Sequence, residues 1–242
     1  MRHQPAIHPT ATRLDKWRSP VIPTRHPGQR GFPAVFSLLA LAYLGTLPWL
    51  PYPGSFLLKA LPVLVAAGWL LRTARSTGGR RVGYGLLWSA LGDVALALDD
   101  RFFLVGLTAF LIAHMCYIAA FGPEAQLQRA RLFRAGGVAA YGMALGAVLG
   151  QATNWQPPIL LYAVVLTSMG VTAALRRGSR LVFLGALAFM VSDSLLAWDR
   201  FLIPLPLAHL WVMLTYYLAQ GLITGGMLDD QILQGSEGYP DS

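Results

Sequence analysis

Cysteine is almost absent from this chain of 242 residues, which contains only Cys116. A single cysteine excludes an internal disulfide, and its place within an apolar run favours a buried hydrophobic role over catalysis. Charge is also scarce. Charged residues make up 12% of the chain, about half of the roughly 25% found in soluble domains. Because 55% of the residues are hydrophobic and the mean hydropathy is +0.50, the composition predicts a membrane protein.

Several familiar enzyme motifs are missing as well. The sequence contains no GxSxG, Walker loop, HExxH or CxxC motif, so acyl-serine, nucleotide-dependent and common zinc-protease mechanisms have no support. The net charge of +8 comes from short basic clusters between apolar runs. Because a nucleic-acid-binding surface needs a basic face on a folded soluble domain, we expect no nucleic-acid partner. The sequence also gives no evidence of an obligate protein partner.

The two ends of the chain differ from its middle. The first thirty residues hold five prolines, six Lys or Arg and three histidines, without the apolar segment of a signal peptide. We therefore interpret residues 1–31 as a disordered basic tail. Residues 227–242 are polar and acidic and are interpreted as a second tail. Both tails are expected in the cytoplasm.

Residues 32–226 form the predicted membrane domain. A helix that crosses the bilayer needs about 20 apolar residues, with a range of about 17–25, and eight stretches qualify. The predicted spans cover residues 32–50, 56–72, 82–98, 102–121, 135–151, 158–175, 181–198 and 207–225. The links between them are rich in Pro, Gly, Arg and Asp, which interrupt helices or favour turns. The expected fold is an all-α bundle of eight transmembrane helices.

The distribution of basic residues predicts the orientation of this bundle. With eight spans and a cytoplasmic N-terminus, the cytoplasmic segments hold sixteen Lys or Arg and the opposite loops hold only Arg101 and Arg200. Such an asymmetry is the signature of the positive-inside rule. We therefore predict a multi-pass protein of the plasma (inner) membrane with both termini in the cytoplasm.

An internal similarity links the two halves of the membrane domain. The segment RRVGYGLLWSALGDVALALDDRF resembles SRLVFLGALAFMVSDSLLAWDRF, and Asp93 matches Asp193. The spans that follow, with AHMCYIAAF and MLTYYLAQG, each carry a tyrosine near the middle. This pattern is compatible with two parallel four-helix repeats.

Asp93 and Asp193 are the most unusual residues of the chain, because each lies within an apolar span. Each precedes an aspartate at the end of its span, Asp99 or Asp199, by six residues, so the two carboxyl groups lie at similar depth. A carboxylate at the centre of a span costs about 2.5–3.5 kcal/mol on insertion scales. The pair is therefore expected to face the interior of the bundle and to have a function.

Other polar residues occur in the spans at comparable depth. His114 and Tyr117 lie in the fourth span, Lys59 lies in the second, and the eighth contributes one face with positions 209, 213, 216 and 220. We select five of these residues as substrate-binding candidates: His114, Tyr117, Tyr216, Gln220 and Lys59. The alternative interpretations are packing through interhelical hydrogen bonds for the polar residues and extension to the headgroups for Lys59.

Three kinds of chemistry suit two buried aspartates. Metal binding is disfavoured because only two histidines, His114 and His209, lie in the membrane domain and no ligand spacing is present. Proton-coupled transport of a small or lipidic solute also uses intramembrane carboxyl groups. Acid–base catalysis is the third possibility: two carboxyl groups in one desolvated pocket do not both ionise easily, so they supply an acid and a base together. We expect no cofactor and no metal.

Four segments resemble the signature segments of one known family. GDVALAL, AHMCYIAAF, FLGALAFMVSDSLLAWDRF and TYYLAQGLI are similar to those of the YhhN/TMEM86 family of lysoplasmalogenases, and the resemblance covers about residues 32–226. It implies an eight-helix membrane enzyme that hydrolyses the vinyl ether bond of lysoplasmalogens to a fatty aldehyde and a glycerophospho-base. It also implies that Asp93 and Asp193 are catalytic, while His114, Tyr216 and Gln220 line the pocket.

The chemistry of vinyl ethers agrees with the residues that are present. The slow step is protonation of the alkene carbon distal to oxygen, and the oxocarbenium ion that results is stabilised by a carboxylate, as in glycosidases. We therefore expect one aspartate to donate the proton and the other to stabilise the cation and activate water. The expected substrate is a single-chain lysophospholipid that enters sideways from the bilayer, with Lys59 at its phosphate.

Overall fold

The computed structural model describes residues 31–154 and 156–237, within which all regular structure is helical. The predicted basic tail, apart from Gly31, and residues 238–242 of the predicted acidic tail lie outside the described residues. Eight long helices form the described part: α1 Phe32–Thr46, α2 Ser55–Thr73, α3 Thr77–Leu98, α4 Phe103–Phe121, α5 Arg129–Ala152, α6 Pro157–Leu175, α7 Arg180–Phe201 and α8 Ala208–Glu237.

Local sequence signals account for several helix starts. The Ser76 hydroxyl accepts a hydrogen bond from the backbone N–H of Gly79 at 3.0 Å and caps α3. Ser179 caps α7 in the same way through the N–H of Leu181. α6 begins at Pro157, where proline is favoured because the first-turn N–H has no partner within the helix.

Neighbouring helices pack closely where glycine replaces a larger side chain. α3 packs along α2 and α4, α7 packs along α8, and α6 contacts α4, α5 and α7. A Cβ on Gly85 of α3 would lie 2.4 Å from a ring carbon of Tyr117 in α4, and one on Gly185 of α7 would lie 2.8 Å from the carbonyl oxygen of Ala219 in α8. Small residues at such contacts let membrane helices approach each other.

The two ends of the bundle are chemically different. We call the end with the connections 99–102 and 202–207 the distal end, and the end with the connections 74–76, 122–128 and 176–179 the proximal end. At the proximal end, the buried Arg176 guanidinium forms ion pairs with Glu124 at 2.8 Å and Asp230 at 2.6 Å. These pairs join the connection 122–128, the connection 176–179 and helix α8. They show that α8 remains packed beyond position 225, the end of the predicted eighth span.

The protein is a multi-pass membrane protein. Six of the eight long helices, all except α3 and α8, are long and apolar enough to cross a membrane. The sequence of α3 contains two arginines, Asp93 and five glycines, and that of α8 contains Tyr216 and Gln220, which lowers the hydropathy of both. The prediction of an all-α fold with eight long helices is thus confirmed for the described residues, whereas membrane crossing by all eight is not.

Candidate active site

A cavity of about 180 Å³ opens near the distal end of the bundle, between α2, α3, α4, α7 and α8. Its polar lining residues are Lys59, Asp93, Asp99, Asp100, Ser192, Asp193, Asp199, Arg200, His209 and Tyr216. The cavity therefore brings together both intramembrane aspartates, as expected from their equal depth. Of the other predicted site residues, it places Lys59 and Tyr216 at its wall.

Asp93 is held by a tyrosine from the opposite half of the chain. Its side chain lies on α3 with the residue 2% exposed, and the Tyr216 hydroxyl of α8 donates a hydrogen bond to its Oδ2 at 2.7 Å. The Tyr216 ring packs edge-on against Phe110 and Phe189, with ring centroids 5.8 Å and 5.5 Å away. These contacts restrain Tyr216, and the hydrogen bond in turn fixes the direction of the Asp93 carboxyl group.

Asp193 is held in a parallel manner by a residue that the sequence analysis did not select. The Tyr162 hydroxyl of α6 donates to Asp193 Oδ2 at 2.5 Å, and the carboxyl side chain is 11% exposed. Tyr162 lies five residues after the start of α6 at the distal end, a depth similar to that of Asp193. A comparison of depths makes Tyr162 one of several candidates, but it does not show that α6 lies beside α7.

His114 lies behind Asp193 rather than at the cavity wall. Its Nε2 is 3.9 Å from Asp193 Oδ2, too long for a good hydrogen bond. The residue is fully buried, and neither ring nitrogen hydrogen-bonds with another described residue. The imidazole packs edge-on against Phe189 and Tyr162, with centroid distances of 4.7 Å and 5.4 Å. It therefore packs beside Asp193 and Tyr162 without lining the cavity.

Tyr117 and Gln220 form a second buried layer. The Tyr117 hydroxyl donates to Gln220 Oε1 at 2.9 Å, and both residues are completely buried. Neither is among the residues that line the cavity. The structure thus places both members of this predicted pair closer to the interior than Tyr216, where they connect α4 to α8.

Lys59 points into the bundle instead of extending to its surface. The residue is 6% exposed and lines the cavity opposite α7, while its backbone carbonyl accepts a hydrogen bond from Tyr217 at 2.7 Å. His209, which also lines the cavity, hydrogen-bonds with Tyr43 at 3.0 Å. The cavity lining therefore contains the amino group of a lysine together with Asp93.

The rim of the cavity is charged. Arg200 forms an ion pair with Asp100 at 2.9 Å, and Asp199 accepts the backbone N–H of Leu205 at 2.8 Å. The Arg101 guanidinium and backbone N–H both donate to Asp99 and hold the pKa of its carboxyl group below the ordinary value. The rim thus presents both signs of charge to an entering polar group. Among the described residues, no group of three or more His, Cys, Asp or Glu side chains is arranged to hold a metal ion.

Comparisons with known proteins cover the whole of this site. The profile of the YhhN family matches residues 54–227. Human lysoplasmalogenase TMEM86B is 40% identical over 173 residues, which cover 69% of this chain and 73% of that protein. Bovine lysoplasmalogenase TMEM86A is 32% identical over 197 residues, covering 72% of this chain and 80% of that protein.

A bacterial relative gives a similar result. The lysoplasmalogenase of Mycobacterium tuberculosis is 34% identical over 151 residues, which cover 58% of both chains. No solved structure matches the chain. Because the family profile spans most of the chain, and every residue proposed for the site falls within the matched segment, this protein belongs to the YhhN family.

Proposed function

We propose that this protein is a lysoplasmalogenase, an enzyme that hydrolyses the vinyl ether bond of lysoplasmalogens. The relatives from human, cattle and Mycobacterium carry that activity in their names. The observation that carries the proposal is the pair Asp93 and Asp193 in one cavity, each with a tyrosine hydroxyl on one carboxyl oxygen. That arrangement leaves the other oxygen, Oδ1, of each carboxyl group available to the substrate.

The reaction needs an acid, a base and a water molecule. A proton is transferred to the alkene carbon distal to the ether oxygen, which creates an oxocarbenium ion on the adjacent carbon. Water adds to that carbon and loses a proton, and the hemiacetal then collapses to a fatty aldehyde and the alcohol of the glycerophospho-base. One aspartate donates the first proton, and the other stabilises the cation and accepts the proton of water.

The surrounding residues have supporting roles in this proposal. Tyr216 and Tyr162 are positioning residues, because each fixes one catalytic carboxyl group by a hydrogen bond. Lys59 lies where its ammonium group meets the phosphate or glycerol oxygens of the substrate. His114, Tyr117 and Gln220 act through their neighbours, since none of them reaches the cavity.

We further propose that all eight helices cross the membrane and that the proximal end is cytoplasmic. α3 packs along two apolar helices, α2 and α4, and α8 packs along the apolar helix α7. We therefore place α3 and α8 in the same layer of the membrane as these neighbours. With this orientation, the cytoplasmic segments contain sixteen Lys or Arg and the loops on the opposite side contain two. The cytoplasmic count includes the N-terminal segment outside the described residues. Both termini are cytoplasmic in this arrangement, and the membrane is the plasma membrane.

Two four-helix repeats are also part of this proposal. Two contacts around the aspartates run between the halves: α8 supplies Tyr216 to Asp93 of the first half, and α4 places His114 beside Asp193 of the second half. A pseudo-twofold relation between the halves is consistent with these two contacts, while Tyr162 and Asp193 belong to the same half. It is also consistent with the match of Asp93 to Asp193 in the sequence.

The test is aldehyde release from lysoplasmenylcholine and lysoplasmenylethanolamine by the purified protein in detergent. The variants are Asp93→Asn and Asp193→Asn, with Asp229→Asn as the matched control because its carboxyl group lies near the proximal end of α8 and does not line the cavity. We expect turnover by the wild type and the control, and its loss in both site variants with unchanged thermal unfolding. No aldehyde from folded wild-type protein would refute the proposal, and a transport assay would then address the same two aspartates.

A further inference from the structure

A second, apolar cavity adjoins the catalytic one within the distal half of the bundle. Its volume is about 40 Å³, and its walls come from α4, α5, α6 and α7 together with one residue of α3. The two cavities share part of their lining: Leu96, Phe103, Phe110, Asp193, Leu196 and Arg200. Asp193 therefore lies at the junction, whereas Asp93 lines only the polar cavity.

We infer that this apolar cavity, here called the chain groove, binds the first carbons of the alkenyl chain of the substrate. The inference rests on the proposed lysoplasmalogenase function. Leu107, Leu145, Leu149 and Leu166 line the groove and not the polar cavity. Among the described residues, the charged members of the groove are Asp193 and Arg200, which also line the polar cavity. A lysolipid has the same division, with a polar headgroup on one side of the ether oxygen and hydrocarbon on the other.

The helix beside the groove is suited to lateral entry. α5 packs mainly against α6 and has little contact with α7. Leu145 and Leu149 project from α5 into the groove, and a Cβ on Gly146, between them in sequence, would meet no atom within 4 Å. The remainder of a long chain therefore continues past α5 into the bilayer, because the groove itself is too small to enclose it.

The groove orients the chain more than it strengthens binding. Lipid tails are as apolar as leucine side chains, so moving a chain from the bilayer into the groove gains little from hydrophobic burial. What the groove provides is the placement of the alkene against Asp193. A displacement of about 1 Å from a reactive geometry can cost about a hundredfold in rate, so changes in the groove are expected to lower kcat more than they raise KM.

The position of the chain assigns different catalytic roles to the two aspartates. The carbon that receives the proton is the one on the chain side of the alkene, and Asp193 lies where the groove meets the polar cavity. Asp193 is therefore the proton donor. Asp93, on the polar side with Lys59 and Tyr216, stabilises the cation and activates water.

The groove is tested by filling it. Ala197→Phe places a ring among the lining residues, and Ala140→Phe puts the same change at an exposed position of α5 outside the groove. We expect Ala197→Phe to lower kcat for a hexadecenyl substrate by about tenfold or more, and to leave an ethenyl substrate, which has no carbon beyond the alkene, within about twofold. The control should change neither rate. If Ala197→Phe does not fold, Ala197→Leu makes the same comparison with a smaller side chain.

The outcomes distinguish a failure of the proposed enzyme activity from a failure of the proposed role of the groove. No aldehyde from either substrate with wild-type protein refutes the lysoplasmalogenase function itself. Normal wild-type turnover with an unchanged ratio of long-chain to short-chain rates in the folded groove variant refutes only the groove.

The assignment of the aspartates is tested by rescue with formate, an anion at neutral pH that supplies negative charge but no proton. Asp93→Ala and Asp193→Ala each remove a carboxyl group and leave space for the anion. We expect formate to restore turnover to Asp93→Ala and not to Asp193→Ala. Rescue of Asp193→Ala alone, or equal rescue of both variants, would overturn the assignment.

Discussion

Replacement of Tyr162 by phenylalanine removes a single oxygen from the site. The hydroxyl group donates to Asp193 Oδ2 at 2.5 Å, while the ring packs against His114 with centroids 5.4 Å apart. Phenylalanine keeps that ring contact, so the change is confined to the hydrogen bond. Asp193 then keeps its place on α7 but loses the group that fixes the direction of its carboxyl.

The size of the effect follows from the kind of hydrogen bond that is lost. As the proton donor, Asp193 becomes an anion in the transition state, and a hydrogen bond to a charged group contributes about 1.5–3 kcal/mol. Each 1.36 kcal/mol of barrier corresponds to a tenfold change in rate. We therefore expect kcat to fall by about 10- to 150-fold. The effect on stability is smaller, about 1 kcal/mol, because the Asp193 side chain is 11% exposed at the cavity and water can replace the donor.

The assay is steady-state aldehyde release with KM and kcat measured separately. Tyr141→Phe is the matched control, because the Tyr141 hydroxyl hydrogen-bonds at 2.7 Å to Ser194, the residue next to Asp193. It should change kcat by less than about twofold, because Tyr141 is 45% exposed and lines neither cavity. A kcat for Tyr162→Phe equal to that of the wild type would refute the positioning role.

Two further predictions concern the scaffold. Arg176→Ala should lower the free energy of unfolding by about 3–5 kcal/mol, because it leaves two carboxylates without their buried partner; thermal unfolding in detergent measures this, and the exposed Arg177→Ala is the control. Gly85→Ala should destabilise by about 1–3 kcal/mol, since its Cβ would lie 2.4 Å from Tyr117. Gly68→Ala, which meets no atom within 4 Å, should be neutral or slightly stabilising, and equal effects of the two would contradict the packing argument.

The helices were largely predictable because the bilayer imposes a length and an apolar composition on each span. The three largest errors lie at the proximal end and have one cause. α3 begins at Thr77 rather than at 82, α5 begins at Arg129 rather than at 135, and α8 continues to Glu237 rather than ending at 225. A helix maintains its backbone hydrogen bonds beyond the apolar segment, so hydropathy locates the embedded part and underestimates the helix.

Within the site, depth was predictable and direction was not. Equal depth paired Asp93 with Asp193, and the cavity contains both. The face of α8 with positions 209, 213, 216 and 220 was also predicted, but only its first three residues line the cavity. Gln220 lies one turn further from the distal end than Tyr216, beyond the reach of the cavity. The helical face predicted from the sequence is therefore longer than the cavity, and its last residue does not line it. Tyr162 was missed because the order of neighbouring helices is a tertiary property.

The depth of the aspartates has a consequence for the substrate. Each lies six residues from Asp99 or Asp199 at the rim, which corresponds to about 9 Å along a helix. The ether oxygen of a lysolipid lies a comparable distance below its phosphate, because only the glycerol backbone separates them. A headgroup at the charged rim therefore places the vinyl ether beside the carboxyl groups, and the chain continues toward the groove. A substrate with its headgroup at the proximal end would present only its methylene chain at that depth, so we expect the enzyme to use lipid from the leaflet at the distal end.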